Sequence, residues 1–136
     1  MITFTVPGQP QGKGRPRFAK VGGYVKAYTP EQTASYESFI KLAYYKAGGG
    51  MSEKPVKLTV RAFYLVPDSW SKKKRIAALG GGVRPTVKPD IDNIVKVVCD
   101  ALNELAYSDD KQIVALECYK HYDVAPRVEI EIKEVV

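Results

Sequence analysis

Histidine is almost missing from this chain. His121 is the single one among 136 residues, which leaves no material for a histidine-rich zinc site or for a serine or cysteine nucleophile assisted by imidazole. Cysteine is equally scarce. Cys99 and Cys118 have no C-x-x-C spacing, which excludes a disulfide framework and dithiol redox chemistry, and they read as small buried residues in a reducing compartment, the cytoplasm. No apolar run approaches the roughly 18 residues of a membrane span, and the opening MITFTVPGQP lacks a charged n-region, so neither membrane insertion nor secretion is expected. The segment GQPQGKG has the look of a phosphate-binding loop. Its Gly8 and Gly12 are one residue too close, however, and Gly14 stands where Ser or Thr should follow Lys13. No nucleotide cofactor is expected, although these glycines would let backbone N–H groups, with Lys13, Arg15 and Arg17, approach a phosphate backbone.

Acidic residues are missing from two long stretches. Residues 1–30 contain Lys13, Arg15, Arg17, Lys20 and Lys26 and no acid, and residues 69–88 contain Lys72, Lys73, Lys74, Arg75, Arg84 and Lys88, again with none. Residues 1–88 hold 16 Lys and Arg against 4 acids, whereas 89–136 hold 5 against 11, so a charge of +12 gives way to −6 within a net +6. Basic blocks of this kind suit a polyanion or merely solubility. The acids that follow would repel a phosphate backbone unless a cation lay between.

Those acids have a pattern. In KPDIDNIVKVVCDALNELAYSDDKQI, Pro89 pushes Lys88 toward extended geometry, and a helix is expected to begin at Asp90 as N-cap. Ile91, Ile94, Val95, Val98, Ala101, Leu102 and Leu105 recur at helical spacing as one apolar stripe, with the helix ending near Leu105. Asp92 and Lys96, four apart and off that stripe, lie on one face with side chains leaning toward Asp90. The polar turn Tyr107–Asp110 then leads into the apolar run Ile113–Leu116. If that strand lies beside the helix, its turn brings another carboxylate to the same place. A capping Asp with a second acid in the first turn also suits the helix dipole with no further function. What capping does not explain is the second acidic pair, Asp109 and Asp110. A cation held by carboxylate oxygens and water points to Mg²⁺, with Mn²⁺ as substitute.

The remaining elements follow from period and punctuation. Ile2, Phe4 and Val6 alternate as a short strand, and Phe18–Val21 and Tyr24–Tyr28 flank Gly22-Gly23 as a basic hairpin. Thr29 as cap, with Pro30 at the first helical position, begins a helix whose apolar stripe is Tyr36, Phe39, Ile40, Ala43 and Tyr44, stopped by Gly48–Gly50. Val56–Val66 reads as a strand of the main sheet. Ser69 or Ser71 caps a short helix carrying Trp70 and Lys72–Arg75, ended by Gly80–Gly82, and Ile113–Tyr122 and Val128–Val135 close the chain as strands. The expected architecture is one α+β domain over 1–136, a mixed sheet with helices mainly on one face.

DIDNIVKVVCDALN followed by SDDKQI resembles the RusA family of Holliday junction resolvases, found largely in phages and prophages, and GKGRPRF with the hairpin and YTPEQTASYE is similar to the family's amino-terminal region. The resemblance implies that Asp90, Asp92 and Asp110 are catalytic carboxylates that bind Mg²⁺, that Lys96 assists beside the scissile phosphate, and that Asp109 supports them. It further implies an obligate homodimer that resolves four-way DNA junctions by paired symmetrical nicks in recombination and repair, leaving ligatable ends. Two other readings stay open on the residues alone: a non-enzymatic basic DNA-binding protein, and a metal-dependent nuclease acting on other branched or linear nucleic acid.

Overall fold

A computed structural model describes residues 1–136. Strands β1 (Ile2–Pro7), β4 (Val56–Leu65), β5 (Ile113–Asp123) and β6 (Arg127–Glu134) form one sheet in the order β1-β6-β4-β5. Its pairs are antiparallel except β4 with β5, so the sheet is mixed, as expected. Parallel neighbours need a crossover. Here it runs through α2 (Lys72–Leu79) and α3 (Ile91–Leu102), and this delivers the acidic segment to the sheet. Strands β2 (Arg17–Val21) and β3 (Tyr24–Tyr28) pair only with each other, and α1 (Glu31–Lys46) follows them.

The element order agrees with the sequence reading, and period 2 explains the sheet. In β4, Leu58, Val60, Ala62 and Tyr64 are buried while Lys57, Arg61 and Phe63 on the other side are half-buried. Buried β4 residues meet Val128, Ile130 and Ile132 of β6, Ile40 and Tyr44 of α1, and Ile94, Val97 and Val98 of α3 in one apolar cluster. No helix is long and apolar enough to cross a membrane.

Helix boundaries and faces differ in detail. α3 ends at Leu102, short of Leu105, because Asn103 turns extended and Glu104 takes a positive φ of 63°. Within it Ile91 is exposed and Val97, absent from the expected stripe, is fully buried. Ile91 sits at the helix mouth, where the first turn overhangs solvent. In α1 the cap position belongs to Pro30, not Thr29, and no side chain caps it. Phe39, expected in the core, is 61% exposed and lines an apolar groove with Phe4, Leu42 and Ala43, while Thr33 is buried in the face turned to the core. Of the two serines offered as caps for α2, Ser71 does it, accepting from the Lys74 N–H at 3.2 Å.

Candidate active site at the start and middle of α3

Two tyrosines pin α3 at its ends. The Tyr64 hydroxyl donates to the Pro89 carbonyl at 2.7 Å, and the Tyr107 hydroxyl donates to the Cys99 carbonyl at 2.8 Å. Burial pushes both phenols well above their usual range, so they remain neutral donors. Lys88–Pro89 is a cis peptide, Asp90 is extended at φ −71° and ψ 158°, and the Asp90 carbonyl accepts the first helical bond from Ile94 at 3.0 Å. The Asp90 side chain caps nothing. Its carboxylate opens instead into a polar cavity of about 510 Å³ shared with Gly12, Lys13, Arg15, Lys88, Pro89 and Asn93. Asp92, in the first turn of α3, is exposed, and neither acid is engaged in a salt bridge.

The GQPQGKG segment owes its glycines to close packing. A Cβ on Gly12 would stand 2.9 Å from the Asn93 Cβ and 3.0 Å from the Pro89 Cβ, and one on Gly14 would stand 2.6 Å from the Thr33 Oγ1. The loop is clamped between the starts of α1 and α3. Two of its N–H groups, expected to face phosphate, are used inside the protein: Lys13 donates to the Asn93 carbonyl at 3.1 Å and Gly14 to the Thr33 hydroxyl at 3.0 Å.

Lys13 is also turned inward. Its ammonium lies 2.6 Å from Glu37 and 3.2 Å from Asp100, with its side chain only 16% exposed. Burial alone would lower its pKa, and the hydrogen bonds and charges of Glu37 and Asp100 more than reverse that, leaving it raised. Lys13, expected to contact phosphate, is therefore an internal cation. Asp100, which the sequence did not single out, is the joint of the site, because its Oδ2 also lies 3.8 Å from Lys96. The anticipated Asp92–Lys96 pair is replaced by Lys96–Asp100 on the same helix. Lysine N-terminal to its acid is the weaker arrangement at this spacing. Lys13 compensates by fixing Asp100 in place. The only sequence signal for Asp100 was an acid one turn beyond Lys96.

At the turn before β5 the two adjacent aspartates divide their work. Asp109 accepts from the Lys111 N–H at 2.9 Å, and the Gln112 side chain accepts from Asp109 N–H at 3.1 Å, a reciprocal cap on the 3-10 turn Asp110–Gln112. Gln112 also donates to the Ser52 carbonyl at 2.8 Å, and Ser108, whose role the sequence left open, donates to Glu53 at 2.6 Å. The Asp110 carboxyl is left to hydrogen-bond with Asp109. Its hydrogen bond with Asp109 raises its proton affinity first, with the negative charges of Asp109 and Asp100 adding to this and Lys96 opposing it. Asp109 moves the other way, held ionised chiefly by the Lys111 backbone. Lys96 and Asp100 of α3 are among the charges that act on Asp110, but Asp90, Asp92 and Asp110, expected to share a metal ion, do not come together as a group able to hold one. No three carboxylate, imidazole or thiol groups stand close enough together to form a metal cage by themselves.

The basic residues fall into two groups. Arg15, Arg17, Lys20, Lys26, Lys72, Lys73 and Lys88 have no acidic partner, and Arg15 lines both the Asp90 cavity and a second polar cavity of about 450 Å³ lined also by Gln11, Pro16, Arg17, Pro30 and Gln32. The others have internal partners. Arg75 lies 3.7 Å from Asp68, Lys74 sits 3.9 Å above the Trp70 ring, and Arg84 Nε donates to the Lys120 carbonyl at 2.8 Å.

A family model described as "Endodeoxyribonuclease RusA" matches residues 7–133. The chain is 42% identical to "Uncharacterized protein YqaN" of Bacillus subtilis (strain 168), covering 98% of this chain and 96% of that protein. It is 34% identical to "Crossover junction endodeoxyribonuclease rusA" of Lactococcus phage r1t, covering 96% and 92% respectively.

Proposed function

The chain belongs to the RusA family of endodeoxyribonucleases, and from that premise we propose that it resolves four-way DNA junctions by paired nicks, using Asp90, Asp92 and Asp110 with Mg²⁺. The observation that carries this reading is Asp90: a carboxylate without a capping partner, opening into a polar cavity flanked by the unpaired cations Arg15 and Lys88. An acid among substrate-facing cations opposes binding of a phosphodiester unless a metal ion accompanies the substrate.

The donor chemistry of the residues present suits such an ion. They offer hard carboxylate oxygens, and the Asp110 carboxyl, its proton affinity raised by Asp109 and Asp100, is where a cation would relieve repulsion. Mg²⁺ keeps several waters and is usually held by one or two carboxylates together with substrate phosphates, so a preassembled cage of three protein ligands is not required. When bound, the ion would supply a water of lowered pKa and neutralise charge developing on the phosphoryl oxygens. Arg15 and Lys88 would orient the phosphate backbone over Asp90. Lys96, steadied by Asp100, would offset charge on the reacting phosphate. Tyr64 and Tyr107 hold α3 rigid beneath them. A homodimer would match two such sites to the two equivalent strands of a junction.

Incubating the protein with a synthetic four-way junction, a flap and a linear duplex, with Mg²⁺ or with chelator, tests the reading. Paired symmetrical nicks in the junction alone, abolished by chelator and restored by Mn²⁺, are expected. Equal cutting of flap or duplex would assign the same chemistry to another substrate, and cutting by nothing would leave a DNA-binding protein. Junction affinity measured in chelator should also fall steeply with salt. If about five of the unpaired cations meet phosphates, the slope of log K against log salt is roughly −4 to −5, and a flat response would remove them from the interface.

A further inference from the structure

We propose that the β2–β3 ribbon is a stacking arm, whose Phe18, Tyr24 and Tyr28 rings receive unpaired bases where the DNA strands separate at a branch. This rests on the reading of the chain as a junction endonuclease and names the feature of the substrate that the ribbon recognises.

The ribbon is a two-stranded hairpin with Arg17 opposite Tyr28, Ala19 opposite Lys26, Lys20 opposite Val25 and Val21 opposite Tyr24. Gly22 alone in its turn has a positive φ, 60°, as a type II′ turn requires at its first central position. Apart from each other, the two strands pack substantially against no other element, and every residue of both is exposed except Ala19. An isolated hairpin is marginal in water. This one nevertheless exposes Phe18 to 70%, Tyr24 to 61% and Tyr28 to 45%, aromatic surface that nothing in the chain covers.

What covers it is indicated by charge. Arg17, Lys20 and Lys26 stand on the ribbon with no acid anywhere on it. Two ribbons meeting across a two-fold axis would oppose like charges, whereas a nucleic acid complements them. The pairing register puts Arg17, Lys26, Tyr24 and Tyr28 on one face, with the lysine midway between the two rings, and Phe18 with Lys20 on the other. Rings interleaved with cations are the arrangement that binds single strands: the cations follow the backbone and each ring takes a base face. The ribbon is also rooted at the active site, since Arg15, two residues before β2, lines the Asp90 cavity. Bases of an intact duplex are stacked on each other and offer no free face. Those freed when strands part at a branch do.

The test uses the full-length chain in chelator, so that binding is read without cutting, and compares wild type with a Phe18→Ala/Tyr24→Ala/Tyr28→Ala variant. The probes are a four-way junction carrying 2-aminopurine at the branch, a single-stranded oligonucleotide and a linear duplex. Wild type should change the 2-aminopurine emission. The variant should lose that change and bind the junction and the single strand on the order of tenfold or more weakly, with duplex affinity, salt slope and circular dichroism unchanged. Equal affinity of variant and wild type for the junction overturns the proposal, as does an equal loss on linear duplex, or a loss of self-association in sedimentation. Failure of wild type to cut junctions would instead count against the nuclease reading, because emission and affinity are measured without Mg²⁺.

Discussion

Asp90→Asn and Asp92→Asn variants are expected to remain folded, bind a four-way junction with wild-type affinity or better in chelator, and cut it at least about a hundredfold more slowly with Mg²⁺. The structure separates the functional and capping explanations of these acids at Asp90. An Asp serving as N-cap would lose a hydrogen bond when altered, typically costing about 1 kcal/mol. The Asp90 side chain makes no such bond, and Asn caps as well as Asp in any case. Only a charge–dipole contribution of about 0.3–1 kcal/mol is at stake for either residue. Thermal unfolding should therefore shift by no more than a few degrees while cleavage collapses. Removing a negative charge from among Arg15, Lys88 and a phosphate backbone should, if anything, strengthen binding. A large drop in melting temperature accompanied by retained specific activity of the folded fraction would show that the acids serve the helix. Asp110→Asn should behave as these two do. Asp109→Ala should lower stability first, because Asp109 caps the turn before β5.

Much of this site could be read from the sequence where the chemistry is local. Asp90, Asp92 and Lys96 lie within two helical turns, so periodicity alone puts them on α3, and Gly22-Gly23 between alternating residues suffices to predict the ribbon. Asp109 and Asp110 were visible as a pair, but not their division of labour, because that depends on Gln112 reaching back to Ser52 across the fold. The early end of α3 was also hidden, since Glu104 adopts a left-handed conformation that glycine or asparagine would have announced. Phe39 illustrates a different limit. Helical period identifies an apolar stripe but not its width, so a ring at the stripe's margin is assigned to the core although it faces a groove. Lys13 was misassigned for the most physical reason. Its neighbours in sequence are all basic or neutral, and the two carboxylates that draw it inward come from α1 and α3.

That inward turn makes Lys13→Met the substitution with the largest expected cost in stability. Glu37 and Asp100 are both well shielded, at 15% and 30% side-chain exposure, and the variant leaves Glu37 with no cation and Asp100 with only the more distant Lys96. Breaking a fully buried pair costs about 3–5 kcal/mol. Partial access to water reduces this to roughly 2 kcal/mol, or about 7 °C in melting temperature for a chain of this size. A Lys13→Met/Glu37→Gln double variant should recover part of the loss, because the unpaired carboxylate is then gone. The pH dependence identifies the group. The pKa of Lys13 is raised in the folded protein, so its contribution is fully present below its unfolded value, about 10.4, and is lost as pH rises through the folded one. The difference in stability between wild type and Lys13→Met should thus be constant from neutral pH to about 10 and shrink above it. Cleavage should fall along with stability, since Asp100, released from Lys13, no longer holds Lys96 at a fixed position. A variant within about 0.5 kcal/mol of wild type would instead mean that Lys13 is free to leave its pocket and meet phosphate.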